Sequence, residues 1–329
     1  MNDAPIDPTQ TRQVVEHKHD RPLLACTWAA DGAAVYYAAE DNSVRRLTLD
    51  PLAATPLPQS HDSWVRALAP LPDGSALVTG GYDGRLAWHP TAGGPSRTVD
   101  AHTGWIRAVA VSPDGRLVAS CGNDRLVKLW DATSAVEVAR CPGHESHVYE
   151  IAWRPDGGSL VSCDLKGVVK EWSPTGAAVR EVATAAALWK YDEGFRADIG
   201  GARAIGFRAD GSQLALGGIT KVSNAFAGIG KPAIVLLEWA DGKEARVLEA
   251  KDSPDGVCWG VVWHPAGYWI GLAGGGGGGW LRFFKGDVPE EFHSVKLPAN
   301  GRGLSLAPDT RRVAVALADG SLRVFALHA

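Results

Sequence analysis

Short apolar segments alternate with polar turns along most of this chain of 329 residues. The pattern is clearest in residues 102–131, where segments at Trp105–Val111, Arg116–Ser120 and Leu126–Trp130 are separated by turns containing Asp, Asn, Gly and Pro. Alternation with a period of two predicts half-buried strands, and such turns predict antiparallel hairpins. A single small sheet needs neighbours to bury its apolar face. The segment therefore predicts one unit of a larger all-β fold.

The unit recurs along the chain, with a turn after the first strand of each copy. These turns are Asp31-Gly32, Asp73-Gly74, Asp114-Gly115, Asp156-Gly157, Asp210-Gly211, Ala266-Gly267 and Asp309-Thr310. Successive turns are 41 to 43 residues apart, except for two longer steps of 54 and 56 residues that indicate insertions. Together with the Trp130-Asp131 ending of the clearest copy, the repeats resemble the WD-repeat family. The resemblance implies an all-β fold, a seven-bladed β-propeller with four strands in each blade.

The last repeat, Gly303 to Leu327, supplies three strands before the chain ends. The resemblance implies that an N-terminal strand completes this blade, and Arg12–His17 is the segment that fits. Such closure removes two open sheet edges, each of which would otherwise be a template for aggregation. We predict a flexible tail over residues 1–11 and a single propeller domain over residues 12–329.

In the family, a buried His–Ser/Thr–Asp–Trp tetrad ties the turns of a blade to its strands. The resemblance places it in blade three at His102, Ser120, Asp124 and Trp130. Blade two offers His61, Thr79, Asp83 and Trp88, with an Asp-to-Trp spacing one residue short. Blade four has His144, Ser162 and Trp172, but Lys166 occupies the Asp position and leaves Asp164 as a substitute. We expect these histidines to be structural, because buried polar groups need hydrogen-bond partners.

Four segments depart from the repeat pattern. In the family that the chain resembles, the connections between blades and the turns between second and third strands emerge on one face, the top face. The resemblance therefore implies that all four segments lie on that face. They are Ala185–Gly200, Gly217–Lys231, Lys251–Gly256 and Gly274–Gly279. Functional loops are commonly held on a rigid scaffold in this way. The segments therefore indicate either a functional site or tolerated decoration.

Alignment of the first strands predicts a ring of side chains at the mouth of the central channel, namely Arg66, Arg107, Tyr149, Arg203 and Arg302, with Gly260 in blade six. These arginines are expected either to bind an anion or to stack on aromatic rings and pair with acids such as Glu150 and Asp198. The top face is also predicted to carry aromatic and basic binding residues, as in interface hot spots. These are Trp64, Trp105, His147, Trp189 and Phe226, with Tyr191 and Phe195 beside them.

A net charge of −4 argues against a general nucleic-acid binder. The N-terminal residues do not resemble a signal peptide, and no apolar run is long enough to cross a membrane, so we expect a cytoplasmic protein. Neither the five cysteines nor any catalytic motif indicates a metal, a cofactor or an enzyme. We predict a non-catalytic scaffold that binds a peptide or a partner protein, including one with acidic side chains, on the top face. The alternatives are an enzyme or anionic small-ligand sensor at the channel mouth under the blade-five loops, and a structural subunit of a larger assembly.

Overall fold

The computed structural model describes residues 6–224, 229–252 and 254–328. Within these ranges the chain forms seven four-stranded antiparallel sheets and one separate two-stranded hairpin. A 3-10 turn at Pro8–Gln10 precedes the first strand, β1 (Arg12–Lys18). In each of the first six sheets, four consecutive strands pair in chain order. Each sheet is therefore one blade.

Blades one to four follow the regular repeat. Blade one contains β2 (Leu23–Trp28), β3 (Ala34–Ala39), β4 (Val44–Leu49) and β5 (Leu52–Pro56). Blade two contains β6 (Val65–Pro70), β7 (Ala76–Gly81), β8 (Arg85–Pro90) and β9 (Arg97–Asp100). Blade three contains β10 (Ile106–Val111), β11 (Leu117–Gly122), β12 (Val127–Asp131) and β13 (Glu137–Cys141). Blade four contains β14 (Val148–Trp153), β15 (Leu160–Asp164), β16 (Val168–Trp172) and β17 (Ala178–Thr184).

A second 3-10 turn at Ala186–Leu188 and the two-stranded hairpin of β18 (Trp189–Asp192) and β19 (Ala197–Gly200) separate blades four and five. Blade five contains β20 (Ala204–Phe207), β21 (Gln213–Asn224), β22 (Ile229–Glu238) and β23 (Glu244–Leu248). Blade six contains β24 (Val257–His264), β25 (Tyr268–Gly275), β26 (Gly278–Phe284) and β27 (His293–Leu297). Blade seven contains β28 (Gly301–Leu306), β29 (Arg312–Leu317) and β30 (Ser321–Ala326) together with β1.

The first strands of the blades surround a common axis. They contact one another in the order β2, β6, β10, β14, β20, β24 and β28, and β28 contacts β2 again. The apolar core is correspondingly divided into seven clusters of described residues, one between each pair of neighbouring blades. This confirms the predicted seven-bladed propeller, in which each blade buries its apolar faces only against its two neighbours.

The closure predicted at the N-terminus is also confirmed. β1 pairs antiparallel with β30 from Arg12↔Ala326 to Lys18↔Ser321, so the N-terminal strand forms the outer edge of blade seven. Preceding it, the backbone N–H of Asp7 donates to the carbonyl of Leu327 at 3.0 Å. Within the predicted tail, residues 1–5 lie outside the described residues. The two ends of the chain are thereby joined by main-chain hydrogen bonds in a single blade.

Candidate functional site

The predicted polar residues of blade three form one hydrogen-bonded chain. The indole N–H of Trp130 donates to Ser120 Oγ at 2.9 Å. Ser120 Oγ lies 2.7 Å from His102 Nε2, and His102 Nδ1 lies 2.9 Å from the Asp124 carboxylate. A neutral imidazole protonated at Nδ1 satisfies every member, because Nδ1 donates to the carboxylate and Nε2 accepts from the serine hydroxyl. All four residues are thus occupied in holding the second-to-third-strand turn to the strands.

Blade two uses His89 rather than the predicted Trp88. His61 contacts Asp83 through Nδ1 at 3.2 Å and Thr79 through Nε2 at 2.7 Å, as in blade three, but the other partner of Thr79 is His89 Nε2 at 3.0 Å. The indole N–H of Trp88 is buried without an acceptor in the described part of the chain. The short Asp-to-Trp spacing is the reason, because side chains alternate in a strand and only the next residue faces the network.

In blade four the carboxylate comes from Asp164, two residues before Lys166. Asp164 Oδ2 lies 3.0 Å from His144 Nδ1, while Ser162 Oγ lies 2.7 Å from His144 Nε2 and accepts from the Trp172 indole at 2.8 Å. Asp164 also accepts from the backbone N–H of Lys166 at 2.9 Å, so one carboxylate serves the histidine and the turn. The substitute considered from the sequence therefore fills the role.

A related network in blade one escaped sequence reasoning. His19 Nε2 lies 3.0 Å from Asp41, with the same separation of 22 residues that joins His61 to Asp83. Tyr37 occupies the position of the usual serine or threonine, and its hydroxyl lies 2.9 Å from His17 on β1. The spacing of 22 residues between His19 and Asp41 is the sequence feature that could have revealed this network, although Leu47 occupies the position of the tetrad tryptophan in blade one. The network links blade one to the strand that closes blade seven.

The four irregular segments contact one another on the top face. Lys190 Nζ, in the β18–β19 hairpin, donates to the carbonyl of Val222 in the extended β21–β22 hairpin at 2.9 Å. The backbone N–H of Gly256 donates to Gly230 at 2.9 Å, and the Lys231 ammonium lies 2.9 Å from Asp255. Much of the insertions is therefore paired strand rather than irregular loop. Phe226, predicted to bind a partner, lies outside the described residues.

The glycine run allows close backbone packing. A β-carbon on Gly274 would lie 2.6 Å from the Gly301 carbonyl oxygen, and one on Gly279 would overlap the Ala299 carbonyl oxygen. A β-carbon on Gly275 would likewise overlap the backbone of Gly256, in the connection between blades five and six. Since real β-carbons do not approach backbone atoms so closely, the absence of side chains lets this hairpin pack against its neighbours.

Seven side chains form a ring at the mouth of the channel. In six first strands the pairing register shifts at one residue, as at Val65/Ala67 and Val148/Glu150, and this β-bulge turns the intervening side chain toward the axis. In blade five Arg203 takes the same place, with its backbone N–H bonded to Gly217 at 2.7 Å. The ring is Leu24, Arg66, Arg107, Tyr149, Arg203, Trp259 and Arg302, and all seven line one cavity of about 240 Å³.

Five members of this ring were predicted, but the blade-six position was wrong. The bulge lies between Cys258 and Gly260, so Trp259 and not Gly260 enters the channel. Cys258 is buried between blades, in the position that the alignment had given to Trp259. A bulge changes the face on which every earlier residue lies, and sequence alternation does not reveal it.

Arginines and aromatic rings form a continuous surface from blade two toward blade five. Tyr82 and Trp105 are stacked with centroids 4.2 Å apart, and the Trp64 ring lies 6.3 Å from Tyr82. The Arg107 guanidinium lies 4.8 Å from the Trp105 ring centroid and 4.6 Å from that of Tyr149, and the Arg203 guanidinium lies 4.0 Å from that of Tyr149. We call this surface the aromatic–arginine strip: Trp64, Tyr82, Trp105, Arg107, Tyr149 and Arg203.

Of the two roles expected for the arginines, anion binding or stacking on aromatic rings, stacking is present in the structure. The stacked surface is still open, because Trp64 and Trp105 are 42% and 44% exposed. Tyr82 was not predicted. It precedes Asp83 in the second-to-third-strand turn, where sequence gave no sign that it would lie between two tryptophans of neighbouring blades. The strip is consequently both preorganised by its own stacking and open to solvent.

The remaining predicted top-face residues lie around the strip. His147 is partly buried, and its pKa is lowered by desolvation and by the nearby charges of Arg107 and Arg125. Trp189 is on the β18–β19 hairpin, where its indole donates to Asp198 at 3.0 Å. Neither of these two side chains is among those that line the cavity at the channel mouth.

No group of three or more His, Cys, Asp or Glu side chains suited to a metal ion occurs in the described ranges. The five cysteines are free and buried. Among the residues described, no helix has both the length and the apolar character needed to span a bilayer.

The family model described as "WD domain, G-beta repeat" matches residues 55–88, 93–131 and 135–173. The matches end within the third strand of blade two, at the end of that of blade three and one residue after that of blade four. The second and third matches begin ahead of the outer strand of the preceding blade. The matched segments contain the three His–Ser/Thr–Asp networks described above. No curated protein matches the chain.

Proposed function

Because the chain is a WD-repeat protein whose seven blades close into a β-propeller, we propose that it is a non-catalytic scaffold that binds a peptide segment or a partner protein on its top face. WD40 propellers are generally protein-interaction modules without catalytic activity. The fold alone does not select the binding surface, since one fold serves many functions. The choice of surface depends on the side chains.

The observation that supports the top face is the aromatic–arginine strip. Trp64 and Trp105 are the two most exposed tryptophans of the described residues, and Arg107 lies against Trp105. Tryptophan, tyrosine and arginine are the residues enriched in interface hot spots. Because stacking already fixes these side chains, they lose less conformational entropy when a partner binds.

Charge favours a partner with acidic side chains. The strip and channel mouth carry Arg66, Arg107, Arg203 and Arg302, and in the described part of the chain the one acidic residue that lines the same cavity is Glu150. Guanidinium groups bind carboxylates through paired hydrogen bonds, and complementary charge accelerates association. Nucleic acid is not the expected partner, because the whole chain has a net charge of −4. We place the function in the cytoplasm, whose reducing conditions preserve free thiols such as the five found here.

The proposal is tested with Trp105→Ala and Arg107→Ala. A partner is first identified by capture on the wild-type protein, and its binding segment is then synthesised and titrated against purified variants. Truncating a hot-spot residue costs about 2 kcal/mol or more, so each variant should bind at least about tenfold more weakly. Thermal unfolding of the free variants separates lost contacts from lost folding.

Matched controls come from other faces. Val138→Ala changes an exposed apolar side chain on outer strand β13, and Arg116→Ala removes an exposed arginine beside the turn between β10 and β11, away from the strip. Both should bind the segment like the wild type. If the strip variants bind normally while the controls do not, the partner uses a side or the opposite face and the proposal is wrong.

A further inference from the structure

One level below the channel-mouth ring, blade four differs from the other six blades. Each blade places the residue that follows its ring residue in the wall of the channel. In the other blades this residue has no more than a methyl side chain, whereas blade four carries Glu150. The six small residues are Ala25, Ala67, Ala108, Ala204, Gly260 and Gly303. The space that they leave brings the Glu150 carboxyl directly into the channel under the arginines.

The arginines above this carboxyl are close enough to repel one another. Burial lowers the pKa of Arg66, and the charges of Arg302 and Arg203 lower it further. In the described part of the protein, none of these three guanidinium groups forms a salt bridge with a carboxylate. Arg66 lies instead over the Trp259 ring, 4.6 Å from its centroid. Three cations at one opening without a paired counter-charge favour an added anion.

Glu150 does not neutralise the arginines. Its one hydrogen bond to described residues is a long one, accepted from the backbone N–H of Ile151 at 3.3 Å. Desolvation in the narrow channel raises the pKa of Glu150 to about 8, against the opposing effects of Ile151 and Arg66. At neutral pH the carboxyl is therefore mostly protonated, and it can donate a hydrogen bond.

We infer that the channel is a binding site for a small oxyanion, a carboxylate, sulfate or phosphate group, held by Arg66, Arg203 and Arg302 above the carboxyl group of Glu150. The cavity at this level measures about 240 Å³. A water molecule takes about 30 Å³ of liquid volume, so the cavity has room for such a group and several waters. The site requires no peptide, but it shares Arg66, Arg203 and Arg302 with the surface proposed above for an acidic partner.

The proton linkage has a definite sign. An anion bound beside Glu150 disfavours the ionised carboxylate, so the group stays protonated in the complex. Above the pKa of the free protein a proton must be taken up for each anion bound, and affinity falls about tenfold per pH unit. Below that pKa the proton is already present, and affinity is nearly independent of pH.

Within the described ranges, the other titratable side chains that face Glu150 are two cysteines, two tyrosines and four arginines. The thiols of Cys121 and Cys163 have raised pKa values because they are buried, and that of Cys163 is about 12. The charged and titratable neighbours from the surrounding strands are Arg66, Arg107, Arg203, Arg302, Tyr82, Tyr149, Cys121 and Cys163. Arginine and tyrosine ordinarily titrate at or above about pH 10. The pH dependence near pH 8 is therefore assigned to Glu150.

The test is calorimetric titration of the full-length protein with sodium sulfate and, separately, sodium acetate at constant ionic strength. Both anions are fully ionised from about pH 7 to about pH 9, so their own charge does not change. We expect the Kd to rise about tenfold between those pH values, with uptake of about half a proton per anion near pH 8. Binding of sulfate alone assigns the site to tetrahedral oxyanions, and binding of acetate alone assigns it to carboxylates.

Two variants isolate the carboxyl. Glu150→Gln keeps its shape, and Glu150→Ala gives blade four the residue found at this position in four other blades. Both should fold and should bind anions with no proton uptake and no pH dependence. Glu244→Gln, an exposed carboxylate on outer strand β23, should retain the wild-type behaviour. The inference is overturned if neither anion binds, if wild-type affinity is unchanged at high pH, or if Glu150→Gln keeps the wild-type pH dependence.

Discussion

Replacing His89 with glutamine removes the ionisable ring from the blade-two network while keeping a donor at the position of Nε2. His89 is 2% exposed and lies between Thr79 and Ser96, whose hydroxyl oxygens are 3.0 and 2.8 Å from its two ring nitrogens. With His61 donating to Asp83 and Thr79 donating to His61, His89 Nε2 donates to Thr79, and in a neutral His89 the Nδ1 atom accepts from Ser96. Burial lowers the pKa of His89 to about 4, with a further contribution from His61.

The depressed pKa makes the fold sensitive to acid. In the unfolded chain the ring takes up a proton near pH 6.5, whereas the folded protein resists this until about pH 4. The stability that depends on a neutral His89 is therefore complete above about pH 6.5 and is lost as the pH falls toward 4. Linkage gives a loss of about 2 kcal/mol by pH 5 and about 3 kcal/mol by pH 4.

The measurement is the free energy of unfolding in urea at a series of pH values, for the wild type and for His89→Gln. Taking the difference between the two proteins cancels every other titrating group. The variant should be less stable near pH 7 by about 1 kcal/mol for its weaker hydrogen bonds, and the difference should close and reverse as the pH falls. Ser96→Ala is the matched control, because it keeps the imidazole and should keep the acid sensitivity. Parallel pH profiles for wild type and His89→Gln would refute the reasoning.

Three further predictions concern the networks, the glycine run and the closure. Trp88→Phe should lower the free energy of unfolding by less than about 1 kcal/mol, and Trp130→Phe should lower it by about 1 to 3 kcal/mol. The reason is that only the Trp130 indole N–H has a hydrogen-bond acceptor among the described residues. Equal losses would contradict the assignment of His89 to the blade-two network. Gly279→Ala should lower stability by about 1 to 3 kcal/mol through overlap with a neighbouring carbonyl, while Gly276→Ala, with open space around it, should change thermal unfolding little. Deleting residues 1–18 exposes the edge of β30, so light scattering should detect self-association that deletion of residues 1–5 does not cause.

The repeat spacing, together with the resemblance to the WD-repeat family, was sufficient to predict the number of blades, their order and the closure by β1. The local features that support the prediction are turns 41 to 43 residues apart except for two longer steps, an alternating strand between turns, and a last repeat one strand short. The network of blade three was equally visible, because it matches the family spacing without insertion. Because a single blade cannot bury its own apolar faces, these local preferences are satisfied only when neighbouring blades pack against one another.

Register shifts within strands and closure of the ring decided which residues form the site, and neither is visible in the sequence pattern. Six of the seven first strands carry a register shift of one residue, and in blade six this shift determines whether Trp259 or Gly260 faces the axis. Likewise, Tyr82 joins two tryptophans, and Glu150 stands beneath three arginines, only because seven separate blades meet around one channel. Alternation specifies which residues share a face of a strand, but a bulge exchanges the faces, and only closure of the ring brings side chains from distant repeats together.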